Sequence, residues 1–96
     1  MECTNINLLE MSKFVGCDIY LYGAGSAGKE MKNILKNEFD NINIVAYIDT
    51  YKEGYLDEIP IIKFHDYIHK SNNIIIVTSC YNKEICKELS KLIFYS

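Results

Sequence analysis

Apolar residues follow two rhythms along the chain, and these divide it into short strands and longer helices. Residues 18–23 (DIYLYG) form a short β-rich run that ends directly in glycines, as a strand feeding a tight turn does. Beyond it Ala27, Met31, Ile34, Leu35 and Phe39 recur at helical intervals, which predicts an amphipathic helix with Ser26 as its cap. Residues 43–49 (NIVAYID) make a second apolar strand after the turn-rich 40–43. The stretch 50–58 (TYKEGYLDE) reads as a loop, and 59–62 (IPII) as an edge strand because its proline cannot serve a central one. HDYIHK, residues 65–70, reads as one or two helical turns closed by Ser71, Asn72 and Asn73. The run 74–79 (IIIVTS) is apolar without alternation, as in a strand covered on both faces. Residues 81–94 then carry Ile85, Leu89, Leu92 and Ile93 on a helical stripe. Near the start, Ile6, Leu9 and Phe14 stand among polar neighbours with Asn5 available as a cap, and predict a short lead-in helix over 5–15.

Strands alternating with helices predict an α/β domain with a parallel sheet of order 3-2-1-4 and helices on both faces. The closing Ile93-Phe94-Tyr95 leaves room for a fifth strand, or for a cut within a longer protein. Ninety-six residues, 49% hydrophobic and 24% charged, suit one domain over 1–96 with a modest core. Self-association is an expectation for so small a core.

The candidate chemistry gathers at residues 23–30, GAGSAGKE. Their spacing fits a dinucleotide-binding turn and, equally, a P-loop short of its last hydroxyl residue. Glu30 stands where the P-loop needs a metal-binding hydroxyl, and a carboxylate there opposes anionic phosphates. The dinucleotide-type reading explains more: Gly23 allows the turn, Gly25 lets a pyrophosphate approach the backbone, and Gly28 lets helix and strand pack closely. The N–H groups of Ala24, Gly25, Ser26, Ala27 and Gly28 would then face the phosphates. Asp49 ends the second strand, where a carboxylate can accept from ribose hydroxyls, with Thr50 beside it. The expected fold is accordingly a three-layer Rossmann-like domain. In it Thr78, Ser79 and Tyr81 end the fourth strand opposite the glycine turn, with hydroxyls for a phosphate or sugar and a ring for a base; Ser79 and Asn82 serve equally well as caps of the last helix. Lys29 reads as a helix-face lysine.

Charge and cysteine usage narrow the partners. The net charge is −3, all ten basic residues are lysines, and no basic stripe forms, which disfavours nucleic acid and a 2′-phosphate. Cys3, Cys17, Cys80 and Cys86 contain no CxxC pair, which predicts reduced thiols in the cytoplasm. There is no basic leader and no apolar run long enough to span a membrane. His65 and His69 bracket Asp66 without a third ligand, so no metal site is assigned. No catalytic group is identified.

The stretches IYLYGAGSAGKEM, IVAYIDTYKEGYLDEIPII and IIIVTSCYNKEICKEL together resemble the Rossmann-like N-terminal domains of bacterial polysaccharide-biosynthesis proteins. Those domains are attached to sugar acetyltransferases, nucleotide-sugar epimerase/dehydratases and sugar methyltransferases. The resemblance spans residues 18–92 and departs from the acetyltransferase branch at Ala27, where His is common, and at Thr50, where a second acidic residue often follows. It implies a non-catalytic domain holding a nucleotide or nucleotide sugar, UDP-sugar or NAD-like, with catalysis on a fused or partner domain. The alternative is an assembly module that binds a protein partner or a second copy and holds no nucleotide.

Overall fold

The computed structural model describes residues 3–7, 14–39, 41–77 and 91–95, with side chains over 14–39 and 41–77. Among the described residues seven strands form one sheet: β1 (Cys3–Asn7), β2 (Asp18–Tyr22), β3 (Asn43–Asp49), β4 (Gly54–Leu56), β5 (Ile59–Lys63), β6 (Asn73–Val77) and β7 (Lys91–Tyr95), in the order β1-β7-β6-β2-β3-β5-β4. The pairs β6–β2, β2–β3 and β3–β5 are parallel, whereas β1–β7, β6–β7 and β4–β5 are antiparallel. Among the described residues one α-helix, α1 (Ser26–Glu38), lies between β2 and β3 in sequence.

These pairings correct the expected three-layer Rossmann-like fold with its parallel 3-2-1-4 sheet: the sheet is mixed, and both of its edges are antiparallel. One cause lies in the stretch read as a loop. Gly54–Leu56 folds back on β5 through a two-residue turn, with Leu56 opposite Ile59. Asp57 and Glu58 both adopt left-handed φ, 55° and 68°, the conformation whose twist suits a two-residue hairpin. No Asn-Gly or Asp-Gly marks this turn in the sequence. What holds it is an ion pair, Lys32 Nζ to Asp57 Oδ2 at 2.6 Å, with the lysine side chain only 10% exposed.

The second cause lies at the chain ends. Cys3–Asn7, which overlaps the expected lead-in helix at residues 5–7, is a strand that pairs with Lys91–Tyr95, so the expected last helix gives way to the C-terminal strand for which Ile93-Phe94-Tyr95 left room. Long-range pairing has overridden a weak local preference, as it does where neither helical stripe is strong. The rest of both expected helices, 8–13 and 81–90, lies outside the described residues. The expected turns of helix at 65–70 shrink to a 3-10 turn over Phe64–Asp66, after which Tyr67 is extended (φ −76°, ψ 131°).

The core sits between α1 and the sheet. Gly28, Met31, Lys32 and Leu35 form the buried face of α1, and Ile19, Leu21, Ile74 and Ile76 meet it from the two central strands. Val45 is a bulge between the pairs Ile19–Ile44 and Tyr20–Ala46. The inserted residue lets both Ile44 and Tyr47 join the same core. Tyr47 is fully buried, and its hydroxyl has no hydrogen-bond partner among the described residues. Strand alternation sends Tyr20 and Tyr22 to the other face, where they pack edge-on against Tyr67 and Phe64 at centroid distances of 5.0 and 5.5 Å.

Candidate functional site

The glycine turn lies where β2 gives way to α1, at the carboxyl ends of the parallel strands. Gly23 has φ 120°, a conformation that a side chain resists, and its N–H donates to the Ile48 carbonyl at 2.7 Å. Gly28 faces the same residue from the first turn of α1. A Cβ on Gly28 would fall far inside contact distance of the Gly23 carbonyl oxygen and 3.2 Å from Tyr47 Cε1. These two glycines are therefore required by the crossing of helix over strand.

Gly25 is different. It is the N-cap of α1 with φ −126°, a conformation open to any residue, and a Cβ there would meet nothing within 4 Å. No side chain caps the helix, so Ser26, expected as the cap, is instead its first helical residue. The first N–H groups of a helix have no partner within it, and here they border a cavity of about 270 Å³ lined by residues 23–28, Asp49 and Lys52.

Asp49 ties the turn to the loop after β3. Its Oδ2 accepts the Ala24 N–H at 3.0 Å, and its Oδ1 accepts those of Tyr51 and Lys52 at 2.9 and 3.1 Å. Partial burial alone would raise the pKa of this carboxyl. The three N–H groups and the nearby Lys52 ammonium outweigh burial and hold it below its ordinary value. Lys52 closes the loop from the other side, donating from Nζ to the Ala24 carbonyl at 3.1 Å.

Of the residues singled out in the sequence, Gly23, Ala24, Gly25, Ser26, Ala27, Gly28 and Asp49 come together around this cavity. Thr50 does not line it: its Oγ1 lies 2.7 Å from the Tyr22 hydroxyl, on the side to which Tyr22 turns away from α1. Thr78, Ser79 and Tyr81 lie outside the described residues. Lys52 was not singled out. Its signal was an aspartate ending a strand, since such a side chain captures backbone N–H groups two and three residues on and folds the following loop back. Lys29 is exposed, does not line the cavity, and its charge acts on Asp57 at the hairpin turn.

The two histidines do not converge. His65 Nε2 lies 3.4 Å from Asp66 Oδ1, whereas His69 Nδ1 is 2.7 Å from the Tyr67 hydroxyl, which also accepts from Asn73 Nδ2 at 3.2 Å. Among the described residues no group of three or more potential metal ligands assembles, and no helix is long and apolar enough to cross a membrane.

The family model described as C2185-like, N-terminal, matches residues 17–96, and the chain belongs to that family. No curated protein and no solved structure matches.

Proposed function

We propose that this C2185-like N-terminal domain binds a nucleotide or nucleotide sugar, a UDP-sugar or an NAD-like molecule, by seating its diphosphate against residues 24–28. Gly25 is the observation that carries this reading. Gly23 and Gly28 are accounted for by backbone conformation and by packing, but neither reason applies to Gly25. Its missing side chain instead leaves the first turn of α1 open to the cavity. Backbone N–H groups at a helix N-terminus, with the positive end of the helix dipole behind them, suit phosphate oxygens. Further support comes from position, since ligands of open sheets sit in the crevice beyond the carboxyl ends of parallel strands.

The role is binding. Among the described residues the lining offers donors, one braced carboxylate and one ammonium, and the resemblance to attached domains assigns the chemical step to a fused or partner domain. The resemblance to domains attached to sugar-modifying enzymes favours a nucleotide sugar and a place in bacterial polysaccharide synthesis. Titrating UDP, UDP-sugars, NAD and coenzyme A into the 15N-labelled protein tests the reading. Saturable shifts of the amides of residues 24–28 are expected with at least one diphosphate ligand. Unmoved amides with all four ligands at millimolar concentration would sink it.

A further inference from the structure

Resting on that reading, we propose that Lys52 is the cation that meets the diphosphate, and that Asp49 positions the loop carrying Lys52 and is not a ribose acceptor. Spacing alone turns the acidic residue to the ribose and assigns no lysine to the phosphates.

The hydrogen bonds of Asp49 point inward. A carboxylate has about four acceptor positions, and three of those on Asp49 are occupied by the N–H groups of Ala24, Tyr51 and Lys52. Oδ1 holds two donors from its own loop, while Oδ2 spans to the glycine turn. This side chain fastens two backbone segments together, which fixes its orientation and leaves a ligand only the one remaining acceptor position on Oδ2.

Lys52 is placed to act on an anion. Among the described residues it is the one lysine on the cavity lining, and its ammonium is bonded to a neutral carbonyl, that of Ala24. An ammonium carries three donors, so a phosphate oxygen can be met while that bond persists. The ammonium also stands beside the positive end of α1, and among the described residues Asp49 is the only carboxylate on the cavity lining. An arriving phosphate lowers the energy of both positive groups at once. The other lysines of the region are engaged elsewhere: Lys32 is paired with Asp57, and Lys29 acts on that same carboxylate from outside the cavity. The inferred ligand is therefore held by its phosphates first, with the sugar and base adding less.

Inorganic pyrophosphate and uridine, titrated separately into the full chain and into three variants, test this. Lys52→Met is expected to weaken pyrophosphate binding at least about tenfold, the range of one bond to a charged group, with its melting temperature kept. Lys52→Arg retains most of the affinity, and Lys29→Met binds as the wild type does. Uridine alone leaves the amides around Asp49 unmoved. If wild type binds pyrophosphate and Lys52→Met binds it equally well, or Lys29→Met is weakened as much, the assignment to Lys52 is wrong while the diphosphate reading stands. Saturable uridine shifts at Asp49 would restore its role toward ribose. A wild type that responds to neither pyrophosphate nor UDP overturns this assignment together with the proposed function.

Discussion

The crossing of Gly28 over Gly23 and the rim at Gly25 belong to one turn and are built for different ends. At the crossing every atom is committed: a left-handed backbone at Gly23, a helix pressed onto its carbonyl at Gly28, and Tyr47 packed beneath. At the rim the backbone is ordinary and the space is open. Glycines in a signature such as GAGSAGKE are thus not interchangeable evidence. Those explained by packing say nothing about a ligand, and the one that packing leaves unexplained carries the functional inference.

Substitutions can break this contrast, and Gly28→Ala has the largest expected effect. The added methyl meets backbone, which cannot swing aside, so a loss on the order of 3 kcal/mol or more is expected in urea denaturation. A stable Gly28→Ala protein would mean that the crossing is looser than described. Asp49→Ala comes next, since three N–H groups lose a charged acceptor; a loss of about 2 kcal/mol is expected by the same measurement.

The pH dependence of Asp49 sharpens that result. Its folded pKa lies below the ordinary 3.8, so its contribution is fully present above the unfolded value and disappears as pH falls through the folded one. Asp57 shifts in the same direction because Lys32 bonds it and Lys29 adds to the effect. Comparing wild type with Asp49→Asn isolates Asp49: the stability gap between them should be constant near neutral pH and narrow below about pH 4. A gap that widens on acidification would contradict the bonding described for this carboxylate.

Smaller effects are expected from Tyr47→Phe and Gly25→Ala. Removing a buried hydroxyl that has no partner leaves stability unchanged or raises it by up to about 1 kcal/mol. A marked loss on thermal melting would reveal a hydrogen bond to that hydroxyl. Gly25→Ala is expected to cost no more than about 1 kcal/mol, because its φ and surroundings accept a methyl and only the glycine N-cap is lost.

Much of the central sheet was legible in the sequence because its signals are local. DIYLY, NIVAYID and NIIIV are apolar runs bounded by turn residues, and the stripe of Met31 and Leu35 set the buried face of α1. What escaped depends on partners distant in the chain. The β4–β5 hairpin turns on Asp57 and Glu58 rather than on a glycine pair, and Lys32, twenty-five residues away, holds it. Strands β1 and β7 form from opposite ends of the chain, where residues 5–7 alone looked weakly helical and Ile93-Phe94-Tyr95 could be read as the end of a helix or as a further strand. The site shows the same division. Its glycines and Asp49 lie in a recognisable order, whereas Lys52 enters only because Asp49 bends the following loop back toward Ala24.

The account rests on Gly25 being kept open for a ligand and not for the fold. The most direct test is Gly25→Val, measured for thermal stability and for amide shifts of residues 24–28 on titration with UDP. The account predicts a melting temperature lowered by no more than the few degrees that loss of a glycine N-cap costs, and loss of the saturable shifts that wild type shows. Equal shifts in both proteins, or a variant that melts far below wild type, would contradict it.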